Sequence, residues 1–214
     1  MAFIRKTLHC KKYFSKIENI EIKNCKKSNF FKPKTLFYRQ NGIDKKWDFL
    51  ECHESVSVLL YHLERKSFLV VKQFRPPVFA SYSRKNKIDK NSNNYKFGCT
   101  YELVAGLIDK NKNLEEIVSE EVEEEVGYKI SPDSLKLITG YTGNVGITGR
   151  FSKMYYGEIE KSKRLENYLE KETIEKVFVQ TKMAKEFLKK QKFATIGLHF
   201  SFYWWLSEMS DLYK

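Results

Sequence analysis

Cysteine and histidine are both scarce in this chain, four of each in 214 residues. Cys10, Cys25, Cys52 and Cys99 are widely scattered, form no CxxC pair and meet no histidine cluster, so neither a zinc site nor a disulfide framework is indicated. Reduced thiols and a cytosolic home follow most simply. The separated histidines offer no Ser-His-Asp or Cys-His arrangement. Long apolar runs are missing too. The best candidate, Phe193 to Leu206, is short and broken by His199 and Ser201, so a soluble protein without a membrane partner is expected. Gly143, Gly146 and Gly149 lack the spacing and the following helix of a P-loop or dinucleotide fingerprint, although they leave the 141–150 loop open enough for backbone amides to approach a ligand. No internal repeat is visible.

Acid is absent from the first sixteen residues, MAFIRKTLHCKKYFSK. Such a stretch resembles a mitochondrial transit peptide in part, but its serine and arginine are sparse for that signature. Residues 1–46 hold 13 Lys and Arg against 3 Asp and Glu, so most of the net charge of +12 sits at this end. A basic region of this kind attracts nucleic acid, an anionic membrane or small phosphorylated molecules. The composition is otherwise that of a folded globular protein with enough apolar residues for a core. We expect a basic leader and β arm over residues 1–50 and a main domain over 51–214. Residues 81–98, polar and rich in Lys and Asn without hydrophobic period, read as a mobile insertion.

Strand-like runs occur at Thr35 to Arg39, Trp47 to Cys52, Ser55 to Tyr61, Phe68 to Phe74, Thr100 to Val104, Leu135 to Thr139, Phe151 to Ile159 and Glu175 to Val179. Helical periodicity occurs at Leu114 to Val126, Met183 to Lys190 and Thr195 to Met209. This order suits an α/β protein, a mixed sheet sandwiched by helices.

What the chain has in unusual density is glutamate. Five fall within six residues, at 120, 121, 123, 124 and 125. Glutamates three and four apart on a helix repel, and a run of acids is most often a solvated helix face. Phase separates the two readings. At about 100° per residue, Leu114, Ile117, Val118, Val122 and Val126 form one apolar arc, and Glu121 and Glu125 fall inside it while Glu116, Glu120 and Glu123 point away. Carboxylates on a packed side are costly unless paired or bound to a cation. A hard divalent ion such as Mg²⁺ takes oxygen ligands and keeps water and substrate phosphates in the rest of its shell.

The spacing sharpens this. Gly106, then fourteen residues on the doublet Glu120-Glu121, an apolar residue, the pair Glu124-Glu125 and a closing Gly127 before Tyr128 resemble the Nudix box of nucleoside diphosphate hydrolases. Two positions depart from that box. Lys112 stands where the family has glutamate and Glu120 where it has arginine, so both charges are reversed together; either a Lys112–Glu120 contact of opposite polarity orients the helix or both positions are simply exposed. The segments FYRQNG (37–42), WDFLECHESVSVLL (47–60), VVKQFRPPV (70–78) and YTGNVGITGRFSKMYY (141–156) resemble the uridine diphosphate glucose pyrophosphatase branch, and the likeness runs over roughly residues 17–210.

The resemblance implies an α/β/α Nudix sandwich with an N-terminal antiparallel β arm exchanged in a homodimer. It implies hydrolysis of a nucleoside diphosphate sugar, foremost UDP-glucose to UMP and glucose 1-phosphate and also ADP-ribose, with Mg²⁺ or Mn²⁺ as cofactor. Glu121 and Glu125 are the implied metal ligands, joined by Glu124 and the carbonyl of Ala105. Glu170 and Glu172, just before a strand, are the candidates for the remaining carboxylate, Glu172 first. Gly106 and Arg75 are placed at the substrate, Arg75 gripping phosphate through paired hydrogen bonds, with a surface ion pair as the plainer role. Glu102 either lies near the substrate or braces the sheet, and Arg150 is a candidate for phosphate or sugar. Trp47 and Phe49 would pack at the dimer interface or stack on a base, core packing being the plainer role. Two rival activities stand beside this: an ADP-ribose pyrophosphatase, and a Nudix-fold protein whose basic arm binds RNA or another polyanion. Nucleic acid is the less expected partner.

Overall fold

The computed structural model describes residue 17 and residues 20–88, 94–166, 168 and 173–213. An antiparallel hairpin comes first, β1 (Phe31–Gln40) and β2 (Ile43–Cys52), turning at Asn41 and Gly42, both at positive φ. The main sheet follows with β3 (Ser55–His62), β4 (Ser67–Phe74), β5 (Cys99–Glu102), β6 (Val104–Leu107), β7 (Lys136–Gly143), β8 (Arg150–Ile159) and β9 (Glu175–Gln180). Its spine runs β5-β4-β3-β8-β7; β3 and β8 are parallel, and the remaining pairs are antiparallel. Four α-helices among the described residues accompany it: α1 (Pro76–Asn86), α2 (Leu114–Glu121), α3 (Ala184–Lys190) and α4 (Ile196–Glu208).

Alternation along the strands builds two cores, one on each face, because successive side chains point to opposite sides of a sheet. Val56, Val58 and Leu60 of β3 meet Ile117, Val118 and Val122 of the α2 region. Leu59 and Tyr61, one step out of phase, meet Leu198, Phe202 and Trp205 of α4. Phe202 is fully buried and packs at a tilt against Phe68, so its truncation to alanine costs about 3–5 kcal/mol. The α/β/α sandwich with a mixed sheet and an antiparallel arm is therefore present.

The single strand expected over Thr100 to Val104 is two strands. β3 pairs with β4 only through Leu60–His62. β5 pairs with the far half of β4, and after Leu103 the chain crosses so that β6 pairs with the near half of β3. That crossing carries Ala105 and Gly106 to the face that α2 covers.

Residues 81–98 differ from the expected insertion. Residues 81–86 are the second half of α1, residues 94–98 form a short 3₁₀ turn, and Tyr82 stacks on Phe97 at 4.9 Å. Residues 89–93 lie outside the described residues. Pro76 and Pro77 do not interrupt α1 but open it, since proline in the first turn lacks only an N–H that would have had no intrahelical partner. No helix among the described residues is long and apolar enough to cross a membrane.

Candidate active site

The acidic helix begins where its sequence says it should. The Glu116 carboxylate reaches back to accept the Asn113 backbone N–H at 2.9 Å, half of a capping box that fixes the first turn. Glu115 accepts the buried Tyr155 hydroxyl at 2.9 Å, tying α2 to β8. Lys110 and Lys112 both bind the Glu120 carboxylate, Lys110 at 2.8 Å. The Lys112–Glu120 contact of reversed polarity is thus formed. Lys110 first and Lys112 second hold the Glu120 carboxyl down to about 2, and Lys110 is itself raised, chiefly by its hydrogen bond to Glu120 and further by the charges of Glu124 and Glu121.

One residue on, the environment changes. Glu121 is half-buried and its carboxyl lies on the α-carbon of Gly106, so close that a β-carbon there would overlap it. Glycine at 106 is what admits a carboxylate between α2 and β6. Glu125 is only 6 % exposed, whereas Glu123 and Glu124 are exposed. The α-helix does not continue to Val126, because Val122–Val126 form a single π-helical turn. The extra residue in that turn shifts side chains beyond the reach of a 100° wheel, and such turns gather at functional sites.

Glu121, at the end of α2, therefore shares a surface with Gly106 on β6; Ala105 precedes Gly106 on that strand, Glu125 is buried in the π turn that follows the helix, and Glu124 beside it is exposed. Among the described residues no three His, Cys, Asp or Glu side chains are drawn close enough to enclose an ion. Carboxylates and a backbone carbonyl suit a hard divalent ion that completes its shell with water and phosphate oxygens, and Gly106 is the residue that makes room for the Glu121 carboxyl.

Arg75 caps the start of α1 and donates from Nε and Nη2 to the two Glu102 oxygens, at 2.8 and 2.7 Å, while the Thr100 hydroxyl donates to the same carboxylate. Glu102 thus fixes the Arg75 guanidinium in a planar fork, the ion pair weighed as the plainer role of Arg75. The Arg75 side chain remains 45 % exposed.

Arg150 opens β8 beside the glycine loop. That loop is not an open row of amides, because the N–H groups of Ile147, Thr148 and Gly149 all turn onto the Asn144 carbonyl. Its outer edge receives the arm instead, with Trp47 Nε1 donating to the Gly146 carbonyl at 3.0 Å and the Leu50 N–H to the Ile147 carbonyl at 2.8 Å. Trp47 consequently stays 54 % exposed rather than packing into the core. Glu170 and Glu172 lie outside the described residues.

One residue that the sequence did not disclose sits against the site. The Tyr168 hydroxyl donates to the backbone carbonyls of Glu124 and Glu125. No periodicity links position 168 to a helix more than forty residues earlier, so only the tertiary fold reveals it.

No family model matches this chain. It is 36 % identical over 163 residues to the uridine diphosphate glucose pyrophosphatase NUDT14 of Bos taurus and 33 % identical over 163 residues to that of Mus musculus, in each case covering 70 % of this chain and 73 % of the relative. The fold is similar to the crystal structure of an ADP compounds hydrolase, with a TM-score of 0.65, 11 % identity, and 89 % of this chain and 92 % of that one covered. The chain belongs to the Nudix hydrolases, in the family of the uridine diphosphate glucose pyrophosphatases.

Proposed function

We propose that this protein hydrolyses the pyrophosphate bond of a nucleoside diphosphate sugar, foremost UDP-glucose to UMP and glucose 1-phosphate, and accepts ADP-ribose as a further substrate. The activity in the names of its mammalian relatives supports this class of substrate. The observation that carries it in this chain is the Glu121 carboxyl seated on Gly106, with Glu125 buried in the turn that follows.

In this reading Glu121, Glu125 and the Ala105 carbonyl would hold Mg²⁺, with Mn²⁺ able to replace it, and exposed Glu124 would add a ligand. A divalent ion held there would neutralise phosphate oxygens and make a bound water acidic. Arg75, oriented by Glu102, grips a phosphate oxygen, and Arg150 contacts phosphate or sugar. Glu172, or Glu170 beside it, takes the proton from the attacking water as it forms the new P–O bond and the bridging oxygen departs with the other phosphate.

The arm supports a homodimer. A two-stranded hairpin is marginal on its own in water, yet this one exposes Phe37 and Ile43 and sets exposed Leu36 opposite exposed Trp47. A second copy of the chain would cover that surface. Sedimentation at micromolar concentration should then give twice the 25.4 kDa chain mass, and a monomer would contradict the dimer.

The activity is tested by incubating the protein with Mg²⁺ and UDP-glucose and following UMP and glucose 1-phosphate by ³¹P NMR, with ADP-ribose in parallel. Product release from UDP-glucose supports the proposal. Faster turnover of ADP-ribose transfers the principal role to that substrate. Salt-sensitive RNA binding without release of any product would overturn the enzyme reading in favour of a polyanion binder.

A further inference from the structure

The acidic helix ends at Gly127, whose N–H reaches back to the carbonyls of Val122 and Glu123, both at 3.1 Å. The final carbonyls of any helix need an outside partner. Here one side chain supplies it, since the Tyr168 hydroxyl lies 2.8 Å from the Glu124 oxygen and 2.9 Å from the Glu125 oxygen. A hydroxyl carries one proton, so the two carbonyls share it in a bifurcated bond.

The ring is held as firmly as the hydroxyl. It lies over Gly127, whose φ of +71° favours glycine and where a β-carbon would come within 2.6 Å of the Tyr168 ring. The Lys176 ammonium sits 3.8 Å from the ring centroid. Backbone bonds bring the two segments together just before this point: Leu165 N–H to the Gly127 carbonyl at 3.0 Å and Lys129 N–H to the Lys163 carbonyl at 2.8 Å.

We propose that Tyr168 is a positioning residue for the metal ligands, tying the backbone of Glu124 and Glu125 so that the π turn presents their carboxyl groups in one fixed direction. This rests on the reading of Glu125 and Glu124 as ligands. Tyr168 acts on main chain, so its removal should change how well the ion is held while leaving sugar nucleotide recognition alone.

The test is Tyr168→Phe, which keeps the ring over Gly127 and deletes only the hydroxyl. Mn²⁺ binding followed by electron paramagnetic resonance should weaken about tenfold, the low end for a group that orients a metal ligand. The Mg²⁺ concentration for half-maximal hydrolysis should rise by the same factor, with KM for UDP-glucose unchanged at saturating Mg²⁺. Lys176→Met, which loosens the ring but keeps the hydroxyl, should shift Mn²⁺ affinity in the same direction by less. Wild-type affinity in Tyr168→Phe, or a lower melting temperature with unaltered Mn²⁺ binding, overturns the proposal. Should that variant not fold, wild-type affinity in Lys176→Met overturns it. A wild-type protein that binds no Mn²⁺ at all would instead defeat the metal assignment beneath it.

Discussion

Glu120 and Glu121 are neighbours in the chain and face two different worlds. The outer face of the helix spends its carboxylates on structure: Glu116 holds the first turn and Glu120 is clasped by Lys110 and Lys112. On the inner face, Glu121 lies on the Gly106 backbone and Glu125 is buried. The same side chain, rotated by one residue, passes from an exposed ion pair of small energetic value to a packed position where a carboxylate is costly unless something compensates it. Position relative to the sheet, and not the density of acids, separates the two roles.

The comparison breaks first at Glu121. Glu121→Gln keeps the shape and removes the charge, so kcat/KM should fall by more than about 100-fold, beyond the range of an outer partner of a metal ligand, with the circular dichroism spectrum unchanged. Full activity in this variant would erase the distinction between the faces. Gly106→Ala is next. The added methyl displaces the Glu121 carboxyl, and we expect a loss on the order of 10–100-fold, read as a rise in the Mg²⁺ needed for half-maximal rate.

The outer face answers more quietly. Lys112→Glu places two like charges together and should slow turnover several-fold, while Lys112→Glu with Glu120→Lys restores opposite charges and most of the rate; a double variant no better than the single one would remove the pairing. The clasp also has a pH signature. Because the Glu120 carboxyl is lowered in the folded state, its contribution to stability is present above the unfolded value near 4.5 and fades as pH falls toward about 2. Thermal melts of wild type and Glu120→Gln should therefore converge across that window. Smallest of all, Glu123→Gln on exposed backbone should stay within about 0.5 kcal/mol of wild type in stability.

Much of this organisation was legible in the sequence because it is local. β-branched runs mark β3, β4 and β8, and the 3.6-residue period places Glu121 and Glu125 on the packed side of the helix. The paired reversal at Lys112 and Glu120 signals a contact. What escaped has a tertiary cause. The split of Cys99–Leu107 into β5 and β6 depends on β3 and β4 diverging, which no strand propensity encodes. α1 was hidden because its second half, polar and rich in Lys and Asn, carries no hydrophobic period and reads as part of an insertion. The π turn lies outside a wheel of 100° steps, and the amides of the glycine loop are drawn inward by the Asn144 carbonyl. Tyr168 left no trace, because its role exists only after Lys163, Leu165 and Tyr168 are brought against the helix end.

The central claim is that the inner face holds a divalent ion. Crystals grown with Mn²⁺ and a non-hydrolysable analogue of UDP-glucose, measured at the manganese edge, test it most directly. An anomalous peak bounded by Glu121, Glu125 and the Ala105 carbonyl, with phosphate oxygens completing the shell, is the predicted result. A peak at Glu120 or elsewhere, or none at saturating Mn²⁺, would contradict it.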